Sequence, residues 1–265
     1  MQLLRVVAGG QSMGDLKTQM KQARDLDSGT HTGSLVEQAY ANLKLRIILC
    51  ELAPGAHITE HQLCTELGIS KTPVREALTR LIQEGLVHSL PRQGYEVTPI
   101  TLGDVNDLFD LRMLIIPSMI ERAAPRINIE ELRHIDLVCQ RGYTLPDTRQ
   151  ISEYLRASRD FYVTIAKATG NRRIIELVDR LEDEGQRLFH LALMFRHARN
   201  QVRYGHKELV EALAAGEAQR AAAIASEAIR LAQKEVTEAL LSSPAILAAR
   251  VEAPRAPHDW GDGGK

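Results

Sequence analysis

Lys71 and Arg75 stand four residues apart in the run Ile69-Ser-Lys-Thr-Pro-Val-Arg-Glu-Ala-Leu78. On a helix that spacing puts both cations on one face. Val74, Ala77, Leu78 and Leu81 make an apolar stripe at helical spacing, so Lys71, Thr72, Arg75 and Thr79 must point elsewhere. A basic first turn suits nucleic acid. A guanidinium can hold guanine O6 and N7 bidentately, and an ammonium can neutralise phosphate. The Thr72 hydroxyl can donate to a phosphate oxygen or meet a thymine methyl. Further on, Leu86–Leu90 and Tyr95–Thr98 flank Pro91-Arg92-Gln93-Gly94, a hairpin tip that would carry Arg92, Gln93 and Gly94 towards a groove. The competing reading is a helical pair that only packs, with Lys71 and Arg75 as solvated charges. The buried stripe, the basic first turn and the hairpin together favour DNA.

The flanking elements must position those side chains. Thr59 to Leu67 predicts a first helix with Leu63 and Leu67 on one face. Gly68 ends it, where a left-handed residue costs least. Ser70 or Thr72 can cap the second helix, and Pro73 falls in its first turn, where a missing N–H does no harm. The result is a helix-turn-helix with a wing.

The Ile69–Leu78 run resembles the signature of the GntR family of bacterial transcription regulators, which usually has Arg where this chain has Lys71. Tyr40 and Leu43 to Ile48, Leu52-Ala-Pro-Gly55, Glu60 and Leu63 fit the same pattern. Asp104 to Ala124, Ala168-Thr-Gly-Asn171 and His206 to Glu217 are similar to the ligand-sensing (FCD-type) domain of the FadR subfamily. The resemblance implies a homodimer that binds a pseudopalindromic double-stranded DNA operator. It also implies a repressor controlled by a small-molecule effector.

At 265 residues the chain suits two modest domains. It is expected to be mainly α. Residues 1–33 form a flexible arm, 34–100 a winged helix-turn-helix, 101–241 an all-α antiparallel helical bundle, and 242–265 a disordered tail that holds Trp260. Net charge is −1, so no basic coat offers non-specific attraction and charge must be placed locally. Cys50, Cys64 and Cys139 form no CxxC pair, which fits a reducing cytoplasm, with Cys50 and Cys64 filling core gaps. No apolar run reaches the ~20 residues of a membrane span.

From Thr101 onward the apolar spacing is helical: Val105 to Met119 with Pro117 as a kink point, Ile129–Gln140, Ile151–Ala168, a helix capped by Asn171, then about 202–214 and Ala218–Leu241 either side of Gly216. In the resembling subfamily the bundle often binds a divalent metal through one Asp and three His. Those positions fall here at Ser158, Tyr162, His206 and Ala228, so only one imidazole remains, and no metal or other cofactor is expected. His190 and His197 are the substitutes within the chain. The polar handles left for an effector are Arg112, Ser158, Tyr162 and His206, with Arg159, Arg187 and His190 behind them. Ile116 stands where the subfamily has Glu, which favours an apolar effector with one carboxylic end. The plainer alternative is that Arg112 closes a salt bridge inside the bundle and Tyr162 is ordinary core. Two other classes compete: an enzyme, for which no nucleophile–base–orienter set is visible, and a helical protein–protein adaptor, which would tolerate loss of Lys71 and Arg75.

Overall fold

The computed structural model describes residues 34–144, 147–195 and 206–241. The arm before residue 34, the tail after 241 with Trp260, and His197 lie outside them.

Helix α1 (Leu35–Ile48) is capped by Ser34, whose side chain accepts from Glu37 N, and buries Ala39, Leu43 and Ile47 at i, i+4, i+8. Strand β1 (His57–Ile58) leads to Thr59, which caps α2 (Glu60–Leu67) by accepting from Gln62 N. Gly68 ends α2 at φ +68, the left-handed geometry expected of it. Helix α3 (Lys71–Gln83) follows with Ser70 at the cap position. Neither hydroxyl caps it as expected: the Ser70 side chain makes no cap hydrogen bond, and Thr72 lies within the first turn. Val74, Ala77, Leu78 and Leu81 are buried in one core with Leu43, Ile47 and Leu63, and Pro73 is buried as well. Truncating a buried Leu such as Leu78 to Ala would cost about 2–5 kcal/mol.

Strands β2 (Val87–Leu90) and β3 (Gly94–Val97) form the wing, and β1 pairs antiparallel with β3 through Ile58↔Tyr95, giving the order β1-β3-β2. A two-residue strand carries no alternation, which is why β1 was not anticipated. The tip is Pro91 to Gln93, with Arg92 at φ +63. Gly94 is not part of that tip: it is the first residue of β3 and pairs with Leu90. At φ +98, a Cβ on Gly94 would lie 2.7 Å from Ile58 O, so glycine is what lets β1 close on the wing.

Thr101 and Asp104 form a reciprocal capping box that opens α4 (Leu102–Ala123), which continues through Pro117. After a short 3₁₀ turn come α5 (Ile129–Arg141), α6 (Thr148–Ala168), α7 (Arg172–Phe195), α8 (Lys207–Ala214) and α9 (Ala218–Leu241). Asn171 Oδ1 accepts from Arg173 N and Ile174 N at the start of α7. Helix α4 packs along α9, α6 along α5 and α7, and α8 against α5 and α9. Their buried faces make one large core, with a smaller cluster around Cys139, Tyr143, Ile151 and Tyr154.

The N-terminal core is tied to this bundle by charge and by one thiol. Lys44 Nζ on α1 lies 2.7 Å from Asp183 Oδ2 on α7 and 2.9 Å from Glu84 Oε2 at the C-cap of α3. The Arg187 guanidinium donates to Thr98 O. Cys50, at φ +54, fills a gap in the bundle core, and burial pushes its thiol up to about 12. Among the described residues, no helix is long and apolar enough to cross a membrane.

Candidate functional site

Two places hold the residues singled out above. The first is the exposed end of α3 with the wing beside it. Lys71, Thr72 and Arg75 are exposed, as are Arg92 and Gln93 at the wing tip. Arg75 is 64% exposed but engaged: Nε donates to Glu60 Oε1 and Nη2 to Glu60 Oε2, each at 2.9 Å. The Tyr95 hydroxyl on β3 donates to the same Oε1 at 2.9 Å. Hydrogen bonds from Arg75 first, and Tyr95 second, hold the Glu60 carboxyl below the usual carboxylate range. The Glu60 and Tyr95 partnership was missed because it joins three elements. Arg80, on the same helix, reaches across to α1 instead: Nη1 lies 2.6 Å from Glu37 Oε1 and its guanidinium sits over the Tyr40 ring.

The second place is a cavity of about 180 Å³ in the bundle. Arg112 from α4, Ser158 and Tyr162 from α6, and His206 at the start of α8 all line it, so the structure brings together the four residues chosen for an effector. Tyr143, Tyr154, Phe189, Ile229 and Val236 supply aromatic and aliphatic wall, and Ala228 lies where a fourth metal ligand was implied. Glu235 from α9 also lines the cavity.

Arg112 is paired as well as lining. Its Nη1 is 2.9 Å from Glu182 Oε1, both side chains being buried. Yet Arg112 Nε and Nη1 meet no hydrogen-bond acceptor among the described residues, so the ion pair is poorly aligned and leaves donors over. Burial pushes the Glu182 carboxyl up, with Arg112 opposing. The guanidinium tip lies against residue 185, a glycine: a Cβ there would lie 2.8 Å from Arg112 Nη1 and would make the tip shift. In the sequence the only trace of this contact is a glycine inside a helical run, Gly185. Burial likewise raises the Tyr162 phenol, which keeps it neutral.

His206 is fixed from three sides. Its ring stacks on Phe161 with centroids 4.0 Å apart, meets Tyr162 edge-on, and places Nδ1 3.3 Å from Asp136 Oδ1. Asp136 Oδ1 also accepts the His206 backbone N–H at 2.6 Å, and Oδ2 accepts from Gln140 at 2.6 Å. Burial alone would raise the Asp136 carboxyl, but these hydrogen bonds outweigh it and hold it low. The signal for it in the sequence is an acid on an otherwise apolar stripe, Leu132, Asp136, Cys139.

Asp136, Cys139 and His206 bring three donor atoms within 4.8 Å of one another. Both Asp136 oxygens accept hydrogen bonds in this arrangement, one of them from the His206 backbone, so Asp136 orients His206. The metal positions implied by the family resemblance do not fit a metal: two neutral hydroxyls, one imidazole and one methyl group. Of the weaker candidates, Arg159 is taken up by Asp179 and Asp183, with Asp160 also beside it. Arg187 serves the junction with Thr98, and His190 is buried outside the cavity wall.

Comparison with known proteins bears on both places. Residues 35–97 match the model for bacterial regulatory proteins of the gntR family, and residues 107–242 match the FCD domain. A helix-turn-helix-type transcriptional regulator of Bacillus subtilis, YdhC, is 26% identical over 147 residues, which span 55% of this chain and 66% of that protein. The Escherichia coli helix-turn-helix-type transcriptional repressor RspR is 21% identical over 156 residues, spanning 59% of this chain and 68% of the repressor. The solved structure of E. coli McbR/YncC aligns with a TM-score of 0.66 at 22% identity, covering 78% of this chain and 99% of that one, a likeness of fold.

Proposed function

Because the chain belongs to the gntR family of bacterial regulatory proteins, in the form that carries an FCD domain, we propose that it is a sequence-specific DNA-binding transcription repressor of the FadR type. In this reading it works as a homodimer, each winged helix reading one half of a pseudopalindromic operator. The observation that carries it is the exposed basic first turn of α3: Lys71, Thr72 and Arg75 face outward beside the wing while the opposite stripe is sealed in the core. One such module buries too little surface to be selective, and symmetric pairing doubles the contacts. Leu111 and Leu114 stay exposed on α4, which suits a helical dimer contact through the bundle.

The cavity supports an effector with an apolar body and one carboxylic end, controlling operator affinity without a bound metal. The spare donors of Arg112 would take the carboxylate, with the Tyr162 and Ser158 hydroxyls and His206 orienting it. An acid must share Arg112 with Glu182, whose raised carboxyl can take up a proton when a second negative charge arrives.

The test is selection of bound duplexes from a random library by the intact protein. Arg75→Ala should cost about 1–3 kcal/mol and relax preference at one base pair per half-site. Lys71→Ala should weaken all sequences evenly and reduce the salt slope by about one. Failure to enrich any sequence, or indifference to both substitutions, would favour the adaptor.

A further inference from the structure

We propose that Glu60 is a positioning residue for base recognition, holding the Arg75 guanidinium by one edge so that its other edge is presented to a guanine. The inference rests on the DNA-binding reading above.

A guanidinium carries five N–H groups in a rigid plane. Glu60 takes two of them, the Nε–H and one Nη2–H, in a side-on bidentate pair at 2.9 Å and 2.9 Å. Three remain, two on Nη1 and one on Nη2. Two of these, one on each terminal nitrogen, form the end-on fork, whose parallel N–H groups match guanine O6 and N7. Thus the carboxylate does not compete with the base; it uses the edge the base does not need.

Glu60 is itself anchored. It is the first residue of α2, whose cap is Thr59, and the Tyr95 hydroxyl binds it from β3, where Tyr95 pairs with Ile58 of β1. Three elements therefore converge on one carboxylate, and the recognition helix receives its arginine already oriented. A free Arg would give up rotamer freedom on binding, and holding it beforehand removes much of that cost. The same carboxylate adds negative charge close to the phosphate path, so it disfavours DNA that offers no guanine. Selectivity rises while non-specific affinity falls, and that opposition separates positioning from simple structural support.

The experiment measures binding of the intact protein to its selected operator and to the same duplex with the Arg75-read guanine replaced. The variants are Glu60→Gln, Tyr95→Phe, Arg75→Ala and the Glu60→Gln/Arg75→Ala double. Glu60→Gln should lower discrimination at that base pair on the order of tenfold, leave random-duplex affinity equal or higher, and add nothing to the loss already caused by Arg75→Ala. Tyr95→Phe should fall between Glu60→Gln and the natural protein, with all variants melting as folded proteins. Operator binding that tightens in Glu60→Gln with discrimination intact would make Glu60 a competitor and overturn the proposal. So would a loss spread evenly over all base pairs. If the natural protein shows no preference between the two duplexes, the DNA-binding reading falls as well; if it does and Glu60→Gln matches it, only the positioning role falls.

Discussion

His190 on α7 is buried, its Nδ1 meets no hydrogen-bond partner among the described residues, and lost hydration pushes its pKa down to about 4. The unfolded chain, with an imidazole near its ordinary value of about 6.5, therefore binds the proton first as pH falls. Above that pH both states are neutral and the group contributes no slope. Between about 6.5 and 4 the unfolded state holds more protons, so stability drops with falling pH, by about 2–3 kcal/mol at pH 4.5 from this residue alone. His190→Leu should leave stability at pH 7.5 unchanged or higher and remove that part of the acid loss. Urea midpoints at the two pH values test it, and an equal loss in the variant would refute the assignment. At this scale the sequence was informative where exposure follows from a stripe. Lys71, Thr72 and Arg75 were placed outward by elimination, because Val74, Ala77, Leu78 and Leu81 had to go inward. It was silent on partners: Glu60 and Arg75 are fifteen residues apart on different helices, and no local period relates them.

Helix α7 shows how an element is shaped for another element's side chain. Glycine in a helix interior costs about 1 kcal/mol relative to alanine, yet Gly185 sits midway along α7, where a Cβ would lie 2.8 Å from Arg112 Nη1. Gly185→Ala should therefore raise or preserve the melting temperature while pushing the Arg112 tip from its place in the cavity wall. A panel of aromatic and acyl carboxylates, screened by thermal shift, should stabilise the natural protein through at least one member and stabilise this variant less. Equal shifts would mean that Arg112 does not hold the ligand. Element boundaries were legible where a cap residue stands out chemically, as at Gly68 and Asn171, whereas the Thr101–Asp104 box that opens α4 emerged only from the structure. The β1 strand was not legible, because it exists only through its pairing with β3. Gly94 was read as a tip residue because local turn chemistry and close backbone approach both ask for glycine, and sequence does not say which applies.

Across the whole molecule, a chain of charged contacts runs from the cavity to the recognition helix. Arg112 in the cavity wall pairs with Glu182; the next residue, Asp183, holds Lys44; Lys44 also holds Glu84 at the C-cap of α3. Burial alone would lower the Lys44 ammonium, but Asp183, Glu84 and Tyr40 outweigh it and leave it raised, so it is a cation at any working pH. A carboxylate that draws Arg112 away from Glu182 changes the charge balance one residue from the junction between the two cores. Effector coupling is typically worth about 1–3 kcal/mol, a size that loss of one such contact can abolish. Lys44→Met keeps the apolar stem, and Asp183 retains Arg159 at 2.7 Å, so the bundle should stay folded. The Arg187 bond to Thr98 O and the buried Cys50 should keep the two cores docked. Operator affinity without effector should then change little, while the ratio of affinities with and without the stabilising carboxylate should fall towards one. Asp183→Asn, which also weakens the bond to Arg159, should lower the ratio at least as far, and the double variant should go no further than Asp183→Asn alone, since both remove the Lys44–Asp183 link. If Lys44→Met keeps the full ratio, the signal runs instead through Arg187 and Thr98, and Arg187→Met becomes the variant that must silence the response.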